Sequence, residues 1–216
     1  MKDIVIIGAG GFAREVIWLI EEINMHKKEW NILGLIDDAL ELIGKEINNY
    51  KVLGNIEYLN TLDKEIYATI AIGNGNIRKE IIEKVKNRKY ATLIHPNVQK
   101  SKLIKIEDGV IICSNNILTV NIEIGKHSII NLNSTIGHDV KLKDYVTILP
   151  GCNISGNVNI GESSVLGTGT TIIQNKKVGK NVIIGAGTVV IRDIEDNCTV
   201  VGNPAKVIKR NDYEEK

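Results

Sequence analysis

The sequence is poor in aromatic residues, proline and methionine, and it carries almost no net charge. Only 4% of its 216 residues are aromatic, with three Pro, two Met and one Phe. A core with so few rings has to be built from aliphatic side chains, which suits a narrow structure rich in Ile and Val. Lys and Arg number 27 against 26 Asp and Glu, for a net charge of +1. This balance gives no reason to expect a nucleic acid or an anionic membrane as a partner.

Cysteines and long apolar runs are also scarce. The three cysteines, Cys113, Cys152 and Cys198, are odd in number and lack a paired spacing, which favours reduced thiols in a cytoplasmic protein. The longest apolar run near the N-terminus, residues 4–7, has only the length of a strand. We therefore expect neither a signal peptide nor a membrane span.

A six-residue repeat runs from Ile106 to Val190. Every sixth residue of this span is Ile, Leu or Val: Ile106, Ile112, Leu118, Ile124, Ile130, Ile136, Leu142, Ile148, Ile154, Ile160, Leu166, Ile172, Val178, Ile184 and Val190. This period fits neither a helix nor a simple strand, but it is typical of a parallel β-helix in which three hexads complete one coil. Since the register never slips, we expect no large loop inside the span.

The first 92 residues follow a different pattern, in which strands alternate with helices. Predicted strands cover residues 3–8, 31–36, 66–72 and 90–94, and predicted helices cover 12–23 and 77–87. Such alternation predicts a small parallel sheet with right-handed crossovers. The sequence therefore predicts an α/β domain over residues 1–92, a β-helix over 93–210, and a polar, frayed tail over 211–216.

The first strand leads into a glycine turn. Residues 8–13 match G-x-G-x-x-A between a strand and a helix, where backbone N–H groups can approach a phosphate. Asp37 follows the second strand, where a carboxylate can accept hydrogen bonds from ribose hydroxyls. The alternative is a tight turn that only packs the helix on the strand. The domain is short for a complete dinucleotide fold, so a Rossmann-like half-domain for one mononucleotide is the more natural interpretation.

His138 is the candidate catalytic residue of the repeat. It stands at the third, outward-facing position of its hexad and precedes Asp139, so it is either a general base oriented by a carboxylate or a plain surface histidine. Gly156 follows 18 residues later and should stack on His138 at ~4.8 Å, where a backbone N–H can stabilise an oxyanion. We interpret His127 as structural or solvated. Three convergent histidines are not available, so no metal is expected.

Several short stretches resemble the nucleotide-sugar acetyltransferase family, which includes the bacillosamine-pathway N-acetyltransferases and the enzymes known as sialic-acid O-acetyltransferases. The stretches are residues 8–11, 37–38, 71–74, 77–79, 93–96, 137–139, 156–158 and 202–206. The resemblance covers nearly the whole chain and implies a left-handed β-helix. It also implies that His138 takes the proton from a sugar amine as the amine attacks acetyl-CoA, while Asp139 orients the imidazole.

The same resemblance implies two sets of binding residues. The nucleotide sugar would contact Gly10, Gly11, Phe12, Asp37, Asp38 and Gly73. Acetyl-CoA would contact Thr147, Gly156, Thr168, Gly185 and Ala186. Two residues depart from the family: Phe12 stands where the bacillosamine enzyme has a histidine, and Thr147 stands where many members have a second one. Both departures put the identity of the sugar in doubt.

Residues that are 18 apart should stack into columns along the repeat, and the positions of two such columns imply an oligomer. Ala186 should stack on Thr168, but on a different face from His138, so we expect a homotrimer with composite sites between subunits. The sequence thus predicts a cytoplasmic N-acetyltransferase for a UDP-, GDP- or dTDP-activated amino sugar. O-acetylation of a sugar or sialic acid, an NAD-dependent oxidoreductase and a non-catalytic nucleotide-sugar sensor stay as alternatives.

Overall fold

The computed structural model describes residues 1–85 and 87–210, and it divides the chain into two compact units, residues 1–96 and 97–216. The division falls shortly after the boundary near residue 93 that the sequence predicts. The predicted tail, 211–216, lies outside the described residues.

The first unit is an α/β layer structure around a five-stranded sheet. Its elements are β1 (Lys2–Ile7), α1 (Gly11–His26), β2 (Trp30–Ile36), a 3₁₀ turn (Leu40–Leu42), β3 (Glu46–Ile47), β4 (Tyr50–Gly54), α2 (Ile56–Thr61), β5 (Tyr67–Ile70), α3 (Gly75–Lys84) and β6 (Leu93–Ile94). The strand order is β3-β4-β2-β1-β5, and every pair is parallel except β3 with β4. The predicted parallel sheet is therefore confirmed.

Strand β1 lies at the centre of this unit because both of its faces are covered. Ile4, Val5 and Ile6 are fully buried. Helix α1 turns six apolar side chains inward, and a second apolar cluster joins β1 to α2 and α3 through Ile7, Ile56 and Ile81. The polar ends of β1 and β2 are left at the carboxyl edge of the sheet, where doubly wound folds bind their ligands.

Two predictions for this unit were wrong or incomplete. Residues 90–94 do not form a fourth strand of this sheet; only Tyr90 makes an isolated bridge, to Ala68. The β3–β4 hairpin and α2 were not predicted from the sequence. The hairpin turn is Asn48-Asn49, with φ of 45° and 69°. Asparagine tolerates such positive φ, so this dipeptide was the available signal.

The second unit is the predicted parallel β-helix, built from two-residue strands at six-residue intervals. They are β7 (Gln99–Lys100), β8 (Lys105–Ile106), β9 (Ile111–Ile112), β10 (Ile117–Leu118), β11 (Glu123–Ile124), β12 (Ile129–Ile130), β13 (Thr135–Ile136), β14 (Lys141–Leu142), β15 (Thr147–Ile148), β16 (Asn153–Ile154), β17 (Asn159–Ile160), β18 (Val165–Leu166), β19 (Thr171–Ile172), β20 (Lys177–Val178), β21 (Ile183–Ile184) and β22 (Val189–Val190), followed by the hairpin β23 (Cys198–Val201) and β24 (Lys206–Arg210).

Every third strand of the repeat pairs in register, so residues 18 apart stack. Thr135 pairs with Asn153 and Ile136 with Ile154, and the N–H of Gly137 donates to the carbonyl of Ile154 at 2.8 Å. Three parallel sheets result, and the aliphatic at each sixth position fills the space between them.

Each corner of the coil uses one residue in the left-handed backbone region. Every sixth residue from Gly109 to Gly187 has positive φ, and most of them are Gly, Asn or Asp, which tolerate this region. Asp139 is one of them, at φ 59°. The corner therefore determines where the carboxylate beside His138 stands.

Two of the three faces of the β-helix differ in the charge of their outward side chains. The charged face carries Lys105, Glu123, Lys141, Asn159 and Lys177 on β8, β11, β14, β17 and β20. The uncharged face carries Ile117, Thr135, Asn153, Thr171 and Val189 on β10, β13, β16, β19 and β22. Ile117 is 43% exposed in the single chain. An uncharged strip with an exposed aliphatic is the more suitable of the two for burial against another subunit.

Candidate active site

The glycine turn between β1 and α1 contains one structural glycine and two open ones. Gly8 has φ 107°, and a Cβ there would lie 3.0 Å from the Ala71 carbonyl oxygen, so this position requires glycine for backbone reasons. A Cβ on Gly10 would meet nothing within 4 Å, and one on Gly11 only the Arg14 side chain at 3.7 Å. Because packing does not demand glycine at these two exposed positions, the open space is available to a ligand at the start of α1.

Asp37 and Asp38 support the backbone around this turn. Asp37 accepts the N–H of Ala9 at 2.9 Å and the N–H of Ala39 at 3.0 Å, one at each carboxylate oxygen. Asp38 accepts the N–H of Ile56 at 3.0 Å, at the start of α2. Both carboxylates keep lone pairs for further donors, but part of their hydrogen-bonding capacity holds the turn and α2 in place.

A cavity of about 320 Å³ opens at the carboxyl edge of the sheet, beside these two carboxylates. Its walls come from the ends of β1 and β2, the start of α2 and one side of α3. Glu80 and Lys84 of α3 line it, and the sequence analysis did not single them out. Their i, i+4 spacing, which puts both on one side of the helix, was the available signal.

In the second unit, His138 and Asp139 form a close pair on the surface. The Nδ1 atom of His138 lies 2.7 Å from Oδ2 of Asp139, and the side chains are 63% and 50% exposed. Asn121, one coil below, donates to Oδ1 of Asp139 at 3.2 Å. The hydrogen bond from His138, and secondly that from Asn121, lowers the pKa of Asp139. An ionised Asp139 holds the proton on Nδ1, which leaves the lone pair of Nε2 free to accept a proton.

Gly156 lies one coil above His138 and next to the imidazole. A Cβ on Gly156 would overlap the Nε2 edge of the His138 ring, and Gly156 is buried. The predicted stacking of these two residues is present, and glycine is needed there because the ring occupies the space of a side chain. The basic nitrogen and the Gly156 backbone are therefore neighbours.

Gly156, Thr168 and Ala186 share one hexad position and one property of the backbone. Within residues 1–85 and 87–210, their N–H groups donate to no protein acceptor. The hydrogen-bond ladder between coils does not use the backbone N–H at this position. At equivalent positions, the backbone N–H groups of Lys126 and Lys180 donate to the carboxylates of Asp144 and Asp196. Free N–H groups at this position are suited to ligand carbonyls such as those of an acyl thioester or a pantetheine chain.

The columns of these residues border the uncharged face at its two edges. His138 comes two residues after β13 of that face. Thr168 and Ala186 follow β18 and β21 of the third sheet and precede β19 and β22 of the uncharged one. Thus the candidate base and the candidate CoA column do not meet within one β-helix.

The remaining predicted residues occupy different environments. Thr147 is 1% exposed and its N–H bonds the Ser164 carbonyl, so it does not share the open surface of Thr168 and Ala186. Gly185 is held in the ladder and faces Val201, whose side chain a Cβ would contact at 2.7 Å. Phe12 is half-buried in the first turn of α1, and Gly73 has open space around it.

The other histidine of the repeat is structural. His127 is 5% exposed and stacks on Tyr145, with ring centroids 5.6 Å apart and planes 8° apart.

At the end of the β-helix, Lys206, Lys209 and Arg210 are exposed on β24, and Arg210 pairs with Glu195 at 2.7 Å.

The described residues contain no group of three His, Cys, Asp or Glu side chains arranged to hold a metal ion. None of the helices in this part of the chain has the length and apolar character needed to cross a membrane.

Comparison with known proteins gives a consistent picture. Residues 3–85 match the PglD N-terminal domain. The chain is 32% identical over 213 residues to the GDP-perosamine N-acetyltransferase of Escherichia coli O157:H7, covering 95% of this chain and 96% of that protein.

Solved structures agree along nearly the full length. PerB from Caulobacter crescentus, in complex with CoA and GDP-perosamine, is 26% identical with a TM-score of 0.88, covering 97% of this chain and 98% of that one. The acetyltransferase domain of PglB from Neisseria gonorrhoeae, in complex with acetyl coenzyme A, is 33% identical with a TM-score of 0.86, covering 96% and 99%.

These matches confirm the predicted combination of a Rossmann-like N-terminal part with a left-handed β-helix. They also exclude the oxidoreductase alternative, which gave the β-helix no role. The chain is an acyltransferase and belongs to the nucleotide-sugar acetyltransferase family of hexapeptide-repeat proteins.

Proposed function

We propose that this protein transfers the acetyl group of acetyl-CoA to the amino group of a nucleotide-activated amino sugar, with His138 as the general base. The observation that carries the proposal is the geometry of one pair. Asp139 holds Nδ1 of His138 at 2.7 Å, and the Nε2 edge of the ring lies next to Gly156. The names of the relatives, which act on GDP-perosamine or bind it together with CoA, support an amino-sugar acceptor.

The chemistry assigned to the chain is a single acyl transfer. His138 Nε2 accepts a proton from the amine as the amine nitrogen bonds to the thioester carbon. The N–H of Gly156 donates to the oxyanion that forms there, at a place where the ladder leaves this group unpaired. The C–S bond then breaks, and the protonated His138 returns its proton to the CoA sulfur. Asp139 stabilises the imidazolium during the step.

The substrates divide between the two units. The N-terminal unit binds the nucleotide through the open glycines and the cavity beside Asp37 and Asp38, and the β-helix binds acetyl-CoA through the free N–H groups of Thr168 and Ala186. Gly185 positions the backbone of Ala186. Thr147 stays a prediction for contact with the acetyl group, and Phe12 for contact with the sugar.

The reaction would serve the synthesis of glycan precursors in the cytoplasm, and the three buried, free cysteines agree with a reducing compartment.

A homotrimer completes the site in this proposal. The two columns border the uncharged face at opposite edges. If that face is turned toward a threefold axis, the His138 edge of each subunit meets the Thr168–Ala186 edge of the next, as a heterologous interface requires. Each of the three sites then takes its base from one subunit and its CoA-binding N–H groups from the neighbour.

The proposed activity is tested with a panel of UDP-, GDP- and dTDP-linked 4-amino sugars. With acetyl-CoA, one of them should release free CoA thiol and yield a product whose acetyl group resists neutral hydroxylamine, because it is an amide. An acetyl group that hydroxylamine removes would identify an ester and support the O-acetylation alternative. Nucleotide-sugar binding without any thiol release would support the sensor alternative.

The role of His138 is tested by His138→Ala. Since the residue acts in the chemical step, kcat should fall by about 10²–10⁴-fold, while binding of CoA and the nucleotide sugar should change little. His26→Ala is the matched control, since His26 is an exposed histidine at the end of α1, and it should keep the wild-type kcat. A His138→Ala protein with wild-type kcat at saturating substrates would contradict the mechanism.

The shared site is tested by complementation between two inactive proteins. His138→Ala lacks the base, and Ala186→Trp blocks the CoA column, so each homotrimer should be inactive. After unfolding and refolding an equal mixture, a site works only if it takes His138 from one variant and Ala186 from the other. With random assembly, roughly a quarter of the sites should regain activity.

The control for this experiment is the same mixture without unfolding, which should stay inactive. Scrambled trimers that are verified by mass and yet show no activity would mean that both residues serve one subunit's site, or that the trimer is not the catalytic unit.

A further inference from the structure

The cavity at the carboxyl edge of the sheet is lined mainly by aliphatic side chains. Its apolar wall consists of six isoleucines, Ile7, Ile36, Ile56, Ile72, Ile77 and Ile81. Gly8 also lines it. An aliphatic cavity of about 320 Å³ at this edge of a doubly wound sheet suits a nucleobase, whose faces are apolar and whose rim carries hydrogen-bonding groups.

Among the residues that the structure describes, four charged side chains line this cavity, and two of them are hydrogen-bonded to the backbone. Asp37 and Asp38 accept backbone N–H groups from Ala9, Ala39 and Ile56. Glu80 and Lys84 form no hydrogen bond or ion pair through their side chains among the residues that the structure describes. They are also one helical turn apart on α3, so both can reach the same rim of a bound base.

The pair offers a specific hydrogen-bonding pattern. An ionised Glu80 presents two acceptors in a plane, and Lys84 presents donors beside them. Guanine is the complementary base, because its N1–H and N2–H₂ donors lie next to the O6 acceptor. Uracil and thymine place carbonyl oxygens on both sides of a single N–H, so a carboxylate would face at least one of them. Adenine and cytosine each set a ring-nitrogen acceptor next to their amino group, where Glu80 needs a second donor.

We propose that Glu80 and Lys84 select guanine, so that the substrate is a GDP-activated amino sugar. Glu80 accepts from N1–H and N2–H₂ in a bidentate, charge-assisted pair, and Lys84 donates to O6. The proposal rests on the proposed function in one respect: it takes the nucleotide of the acetyl acceptor to be the occupant of this cavity. It names the residues that distinguish GDP from UDP and dTDP.

The test measures binding of free nucleoside diphosphates to the full-length protein by calorimetry, without acetyl-CoA. Wild type should bind GDP more tightly than UDP, dTDP or CDP, and also more tightly than IDP, which lacks only the N2 amino group. Glu80→Gln should weaken GDP binding by about ten- to a hundredfold, since an amide offers one acceptor where the carboxylate offers two. In this variant the preference for GDP over IDP should disappear.

Two further variants sharpen the test. Glu83→Gln is the matched control, because Glu83 is an exposed glutamate of α3 that does not line the cavity, and its GDP affinity should equal that of wild type. Lys84→Met should weaken GDP and IDP equally, because both keep O6. In steady-state assays with a GDP-amino sugar, Glu80→Gln should raise KM and leave kcat unchanged.

The outcomes separate this inference from the proposed function. Equal wild-type affinity for all the diphosphates, no binding of any of them, or a GDP preference that survives Glu80→Gln would overturn the base assignment, even if acetyl transfer to a UDP- or dTDP-amino sugar occurs. A GDP preference that Glu80→Gln abolishes, in a protein that acetylates no nucleotide sugar, would support the base assignment and overturn the proposed function.

Discussion

The parallel hydrogen-bond ladder that closes every 18 residues is the constraint on which the catalytic part of this protein depends. Because each strand contributes only two residues, no strand has a stable position of its own, and the register comes from the stacking of whole coils. The ladder puts Gly156 one coil above His138, Ala186 one coil above Thr168 and Asn121 one coil below Asp139. Among the described residues it leaves the N–H groups of Gly156, Thr168 and Ala186 without a protein acceptor. In the proposed mechanism, the same repeat therefore provides both the position of the base and the hydrogen-bond donors for acyl transfer.

In the proposed function the N-terminal unit recognises the nucleotide, and its cavity depends on a different kind of constraint. A parallel sheet gathers the ends of its strands at one edge, so Gly8, Asp37 and the cavity beside α3 come together although they are far apart in sequence. Asp37 connects two parts of this edge by accepting the N–H of Ala9 in the glycine turn and the N–H of Ala39 after β2. Selection of the nucleotide and transfer of the acetyl group are thus assigned to separate units of the chain.

The sequence predicted the features that repeat and missed those that depend on contacts between distant segments. An unbroken six-residue period determined the β-helix, and counting to the third hexad position predicted the exposed side chain of His138. The β3–β4 hairpin was missed because β3 has only two residues, although Asn48-Asn49 marks its turn. Glu80 and Lys84 were missed because a charged helical side gives no sign of a cavity until the sheet edge that faces it is known. The fourth predicted strand was wrong because only Tyr90 bridges to β5.

The most direct test of the central claim, that the coil register joins His138 to Gly156 in one catalytic unit, is a double-mutant cycle on kcat. Gly156→Ala keeps the backbone N–H but puts a methyl group where the imidazole lies, so kcat should fall about ten- to a hundredfold. In a His138→Ala background the same change should have almost no further effect, because the ring that it displaces is gone. Equal effects of Gly156→Ala in both backgrounds, or a wild-type kcat for the single variant, would contradict the account.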